Sequence, residues 1–238
     1  MVKLKLGLYV RSVGFELGRA LLTLIFSVLG QVFWLAPYKV RYGFLTYWTR
    51  FTLGWLRFTC GLRFEVEGAE HIDPSKPSVV MAHHESAWET MAMQLIFPRQ
   101  TYVLKKELMR IPFFGWTLAM LNPIAIDRSA GRQSMRQLLE QGTQRLEQRG
   151  DWIVIYPEGT RVPTGTVGKI NKGAASLALK LQAPIYLVTH NAGEFWPKNS
   201  LLRKPGVIKV KISPALNPEQ MSIEQINQAV MDWYQGNT

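Results

Sequence analysis

With 238 residues the chain has room for one α/β domain and an appendage rather than two full domains, and it is long enough to bury a sizeable core. Its 28 Lys and Arg outnumber 17 Asp and Glu, and the net charge of +11 selects for anionic partners; no nucleic-acid-binding motif is recognisable, and 47% hydrophobic residues with 8 Trp suit a membrane surface better. Cys60 is alone, which excludes an intrachain disulfide and is compatible with the cytosol.

Residues 1–60 differ from the rest. Residues 20–37 carry no charge, with Arg19 before the run and Lys39 and Arg41 after it, a length near the lower limit for a transmembrane helix. The run ends in Phe33, Trp34 and Leu35 without a small-x-small site, which speaks against a cleaved signal peptide. Pro37 then breaks the helix. In the next one Phe44, Trp48, Phe51, Trp55 and Phe58 recur at helical spacing, while Arg50 and Arg57 lie off the stripe. Such a helix suits the headgroup boundary, with rings in the acyl region and guanidinium groups near phosphates; the alternative is a core stripe packed on the following domain. Basic residues on both sides of the uncharged run leave a re-entrant hairpin in one leaflet competing with a true span.

The globular part starts near Leu62. Strands are predicted over residues 63–68, around Val79, over 102–104 and over 124–126, the last closed by Asp127 and Arg128. Lys105 stands where the third of these ends. A helix is predicted from Ser86 to about Phe97, an apolar one over residues 113–121, and an amphipathic one with Met135, Leu138, Leu139 and Leu146 on one face, ended by Gly150. The apolar strand 152–156 follows, then a Gly-rich connection with Lys169 and Lys172, which suits an acidic donor or a solvated loop equally. A helix over 173–182, strands over 184–189 and 207–212, and a helix over 218–234 complete the chain. Alternating strands and helices predict an α/β sandwich with functional groups gathered at strand ends.

The stretch His83-His84-Glu85-Ser86-Ala87-Trp88-Glu89 follows the apolar run ending in Ala82, so a buried strand delivers the histidines to its edge. His84 and Glu89 are five apart and share no helix face, so they meet only if His84 is still in the loop. Ser86-x-x-Glu89 reads as a capping box, with Ser86 a cap rather than a nucleophile, and the Glu89 carboxylate then points back toward His84. A carboxylate on one imidazole nitrogen leaves the other free to take a proton from a hydroxyl. Glu89 as a plain cap beside a satisfied loop histidine is the other reading. A zinc site from His83, His84 and Glu89 is a third, disfavoured by the lone cysteine and the lack of an HExxH pattern.

His84 and Glu89, then Asp127-Arg128, then Tyr156-Pro157-Glu158-Gly159-Thr160-Arg161, then Ala183-Pro184-Ile185 resemble the four ordered blocks of the glycerolipid acyltransferases. Among these the chain most resembles the bacterial 1-acyl-sn-glycerol-3-phosphate acyltransferases, called PlsC, over roughly residues 62–215. Two positions depart from the usual family pattern: Glu89 stands where Asp is common, and His83 where Asn is common. The resemblance implies a sandwich of a mixed sheet flanked by helices over residues 61–238; ahead of it, the uncharged run and the aromatic helix predict a two-helix membrane-associating hairpin over residues 1–60.

It also implies transfer of a fatty acyl group from acyl-CoA or acyl-ACP to the sn-2 hydroxyl of lysophosphatidate, making phosphatidate at a phospholipid bilayer, on the cytoplasmic face of the inner membrane. No metal or other cofactor is expected, because a thioester is already activated. In that scheme His84 takes the hydroxyl proton and Glu89 orients it. Arg161 leads as phosphate ligand, Lys105 and Arg128 lie near the same anion, and Glu158, Gly159 and Thr160 position the substrate. The chain has no GxSxG elbow, consistent with direct attack and no acyl-enzyme. A different lysolipid acceptor, such as a lyso-ornithine lipid or lysophosphatidylglycerol, is the alternative within the class; a non-catalytic membrane-binding protein is the alternative outside it.

Overall fold

Val79–Ala82 (β2) and Trp152–Ile155 (β5) are apolar and buried at every position, and they pair side by side at the centre of a seven-stranded sheet. On the β2 side lie Ile185–His190 (β6), Gly206–Ile212 (β7) and Leu62–Glu67 (β1); on the β5 side lie Gln100–Lys105 (β3) and Ile124–Ile126 (β4). The order is β1-β7-β6-β2-β5-β3-β4, parallel throughout except between β6 and β7, so the sheet is mixed. Strands β2 to β6 therefore all end along one edge. The computed structural model of the chain describes the backbone of residues 2–127 and 129–237, with side chains from residue 6 onward.

The two-residue period of a strand sorts the core into two layers. Val80, Ala82, Val154, Tyr186 and Val188 face one side, where they meet Trp152 and the helices Tyr38–Cys60 (α2) and Trp88–Ile96 (α3). Val79, Met81, Ile153, Ile155, Ile185 and Leu187 face the other, packed on Arg132–Arg149 (α5), Lys172–Leu181 (α6) and Ile223–Asn237 (α8). The short helices Phe114–Ala119 and Ala192–Phe195 are α4 and α7. Helix α8 begins at Ile223, five residues after the predicted start at 218. The reason is a capping box there: Ser222 Oγ accepts the Gln225 N–H at 3.1 Å and Gln225 Oε1 accepts the Ser222 N–H at 2.7 Å.

The first helix, Val2–Gly30 (α1), starts well before the uncharged run that predicted it. Within it Glu16 takes Arg19 one turn on, and also Arg203 from far along the chain, whose guanidinium stacks 4.1 Å from the Trp196 ring. A turn of 3-10 helix, Gln31–Leu35, leads to Pro37 and α2. The span Leu6–Leu35 is long and apolar enough to cross a membrane by length and composition, and Leu17, Leu21, Leu24 and Val28 leave an exposed stripe along it.

The aromatic stripe of α2 is divided: Trp48 and Trp55 pack against the core of the domain, Phe51 and Phe58 stay exposed, and Phe44, Trp48 and Trp55 form the seam with α1. Phe44 lies 4.9 Å from Phe26 and stacks at 4.3 Å on Phe33, while Trp48 Nε1 donates to Thr23 Oγ1 and Trp55 Nε1 to the Gly14 carbonyl. Gly18 sits under the Trp55 indole, where a Cβ has no room. The rest of the contact with the domain comes from the neighbouring face of α2, through Leu45, Leu53, Leu56 and Cys60 and a bond from Thr49 Oγ1 to Gln94 Oε1 of α3 at 2.6 Å.

Candidate active site

At the end of β2 the His83 N–H still bonds the Val188 carbonyl at 2.9 Å, and then the chain leaves the sheet. Helix α3 begins at Trp88, with Ala87 as its N-cap, one residue later than a capping box at Ser86 predicts. The Ser86 hydroxyl donates to the Trp196 carbonyl (2.7 Å) and accepts the Trp88 N–H (3.2 Å), so it closes a tight turn instead of reaching the third helical N–H. The reciprocal half of the box does form: the Ser86 N–H donates to Glu89 Oε1 at 2.7 Å.

That same Oε1 lies 2.7 Å from His84 Nδ1, and Glu89 is fully buried. Capping and histidine orientation are thus not alternatives for Glu89, because one oxygen does both. With Nδ1 held by a carboxylate, the proton sits on Nδ1 and Nε2 is left to accept. The rest of His84 is fixed as well. Its N–H donates to Glu158 Oε2 at 2.9 Å, its carbonyl accepts the Val162 N–H at 2.8 Å, and its ring stacks 4.2 Å from Tyr156.

His84 opens into a cavity of about 470 Å³. Lys105, Gly159, Thr160 and Arg161 line it too, brought there by the ends of β3 and β5, which lie side by side in the sheet. Gly159, at φ +71°, makes the turn that a side chain would strain. The remaining wall is largely apolar and comes from α1 to α4, with Phe26, Leu45, Trp48, Met91, Leu118 and Leu121. An imidazole and two cations therefore share a chamber with room for a hydrocarbon chain.

A scan of family models matches residues 63–191 to the Acyltransferase family. A 1-acyl-sn-glycerol-3-phosphate acyltransferase of Pseudomonas aeruginosa is 42% identical over 201 residues, 83% of this chain and 77% of that protein. The chain belongs to the acyltransferase family. The human 1-acyl-sn-glycerol-3-phosphate acyltransferase alpha is 27% identical over 173 residues, which is 72% of this chain and 61% of the human one. The crystal structure of the 1-acyl-sn-glycerophosphate acyltransferase PlsC from Thermotoga maritima superposes with a TM-score of 0.68 at 22% identity, covering 93% of this chain and 95% of that one.

Among the residues the sequence assigns to the acyltransferase site, the structure gathers His84, Lys105, Gly159, Thr160 and Arg161 around one cavity, with Glu89 directly behind His84. Arg128 lies outside the described residues. Its neighbour Asp127 binds the Ser129 N–H and hydroxyl at 3.0 and 2.6 Å, at the end of β4. Glu158, expected to position the substrate, does not line the cavity and is buried. Its two oxygens accept the N–H groups of His84 and Gly168, both at 2.9 Å, so it shapes the loop that carries His84. Lys169 and Lys172 do not line the cavity, and Lys172 pairs with Glu224 at 3.1 Å. Among the described residues no group of three or more potential metal ligands lies together.

Three groups that sequence reasoning did not assign stand behind His84. His83 is fully buried between two carboxylates, with Nδ1 3.1 Å from Glu158 Oε2 and Nε2 3.3 Å from Glu85 Oε1, close enough for ion pairs though outside hydrogen-bond directions. Burial by itself pushes the His83 pKa down, but Glu158 and Glu85 outweigh it and raise the group to about 9. Glu85 also accepts the N–H groups of Gly165 (2.8 Å) and Gly193 (3.0 Å); despite burial, His83 and these bonds hold its carboxyl below the usual range. His190, at the end of β6, accepts the Ala192 N–H on Nδ1 and donates from Nε2 to the His83 carbonyl at 3.0 Å, which makes it a neutral imidazole. Burial lowers its pKa accordingly, and it packs 3.9 Å from Glu89 Oε2. Its only sequence signal was its place at the end of an apolar strand, and Glu85 had none beyond standing next to His84.

Proposed function

We propose that the protein transfers a fatty acyl group from an acyl thioester to the sn-2 hydroxyl of 1-acyl-sn-glycerol-3-phosphate, forming phosphatidate. The relatives with that activity in their names support the acceptor. The observation that carries the chemistry is the 2.7 Å contact between His84 Nδ1 and Glu89, which leaves Nε2 to accept a proton inside a cavity bearing Arg161 and Lys105. Nε2 takes the proton of the sn-2 hydroxyl as its oxygen attacks the thioester carbonyl carbon. The imidazolium is stabilised by the Glu89 carboxylate. When the C–S bond breaks, the proton passes from His84 to the departing sulfur, so ester and thiol form with no net gain or loss of protons.

Arg161, with Lys105 beside it, receives the acceptor's phosphate, since a guanidinium matches phosphate oxygens bidentately. The apolar wall receives acyl chain. Acyl-CoA and acyl-ACP share the phosphopantetheine thioester this scheme requires, and neither metal nor redox chemistry enters a step. The apolar α1 supports working at a bilayer, on the cytoplasmic face where such thioesters are found. The test is a panel of lysolipids offered to the purified protein with one labelled acyl thioester. Labelled phosphatidate is the expected product; acylation of lysophosphatidylglycerol or a lyso-ornithine lipid in its place would overturn the acceptor.

A further inference from the structure

A second apolar surface lies outside the N-terminal hairpin, on the segment between β3 and β4. A 3-10 turn, Lys106–Arg110, runs through Ile111 and Pro112 into α4. Ile111 is 44% exposed, and Phe113 and Trp116 are each 47% exposed, far more than large apolar side chains retain in a core. Phe113 holds φ +59°, an unfavourable conformation for a residue with a Cβ, and its ring lies 5.1 Å from Trp116. Strain spent on keeping a phenylalanine at the surface calls for a reason there. The same segment exposes Lys105, Lys106 and Arg110 against the single acid Glu107.

This surface continues into the first helix. Thr117 of α4 donates to the Ser27 carbonyl of α1 at 3.3 Å and accepts from Gln31 Nε2 at 3.2 Å. The turn that follows α1 exposes Val32, Trp34 and Leu35. Apolar and aromatic tips with Lys and Arg close by are the composition of an element lying in the interface of an anionic bilayer. The inner side of the same segment lines the cavity, through Leu108, Phe114, Thr117 and Leu118.

We propose that residues 108–116 insert into the lipid interface as a second membrane contact, continuous with the turn after α1. The contact sets one wall of the cavity at the level where a lysolipid acceptor resides. It rests on reading α1 and α2 as membrane-associating.

The full chain, carrying Cys60→Ser, is bound to phosphatidylglycerol–phosphatidylcholine vesicles with single nitroxide labels at Phe113→Cys or Trp116→Cys. Controls are Val28→Cys on α1 and Glu70→Cys, exposed beyond the end of β1. Collision with dissolved oxygen against an aqueous nickel chelate reads depth. Labels at 113 and 116 are expected in lipid, like the label at 28. Water exposure at 113 and 116 like that at 70, with 28 in lipid, would overturn the proposal alone; water exposure at 28 as well would overturn the membrane reading and the proposal with it. In parallel, Phe113→Ser/Trp116→Ser is expected to lose about tenfold in turnover on vesicle-embedded acceptor while keeping its rate on a short-chain, soluble one. Equal losses on both would make the segment part of the fold and count against the proposal.

Discussion

His83 is expected to make stability fall at alkaline pH, and replacing it should remove that fall. Its folded pKa of about 9 lies above the ordinary 6.5, so the folded state holds the proton more tightly than the unfolded chain. The stabilisation is complete below about pH 6.5 and disappears as pH rises through about 9. A rise of that size corresponds to about 3 kcal/mol at low pH, and about 2 kcal/mol remains at pH 7.5, lost almost entirely by pH 10. Glu85 works in the opposite sense: its lowered pKa adds stability above its ordinary range that is lost as pH falls through the depressed value. His83→Asn leaves Glu85 and Glu158 without a cation between them. Denaturant unfolding of the detergent-solubilised chain at pH 6, 7.5, 9 and 10, followed by tryptophan fluorescence, measures both proteins. The gap between them should be widest at pH 6 and should close by pH 10. Surface lysines and tyrosines titrate alike in both, so they cancel in the difference. A gap that stays constant across this range would refute the protonated His83.

His84→Ala should slow acyl transfer by about 10²–10⁴-fold with an unchanged melting temperature; turnover within a few fold of wild type would remove the general base. Glu89→Gln keeps an oxygen for Ser86 N–H and His84 Nδ1–H but loses the charge, so turnover should fall about 10²–10⁴-fold in a folded protein, and near-normal turnover would reduce Glu89 to a helix cap. Glu89→Asp should retract the carboxylate by one carbon–carbon bond from both contacts and lose about 10²-fold, even though Asp is the commoner family residue. Arg161→Ala should weaken the acceptor by about 2–4 kcal/mol in apparent affinity and spare the thioester; the reverse pattern would move Arg161 to the donor. Gly18→Val drives a side chain into the Trp55 indole and should destabilise the chain by about 1–3 kcal/mol, read as a lower melting temperature.

Much of the scaffold was legible because its signals are local. Two-residue alternation and unbroken apolar runs identified β1, β2 and β5, and the residues just past the runs, His84 and the turn 156–161, were thereby placed at strand ends. Gly150 marked the end of α5 because the helix closes with that residue in the left-handed region. The capping-box spacing already turned Glu89 back toward a loop-borne His84, and the family blocks added the role that pairing would play.

What the tertiary structure decided are the contacts between segments far apart in the chain. Strand periodicity specifies which face a side chain takes but not which strand lies next to it, so the antiparallel β6–β7 pairing was invisible, as was the approach of Glu158 to the backbone of His84 across 74 positions. The aromatic stripe of α2 kept its spacing but was divided between α1, the domain core and the surface, because helical spacing defines a surface without naming what covers it. Helix α3 starts late because the Ser86 hydroxyl is drawn to the Trp196 carbonyl, 110 residues away. The pKa of His83 is raised only because folding closes Glu85 and Glu158 around a ring whose burial alone acts in the opposite direction.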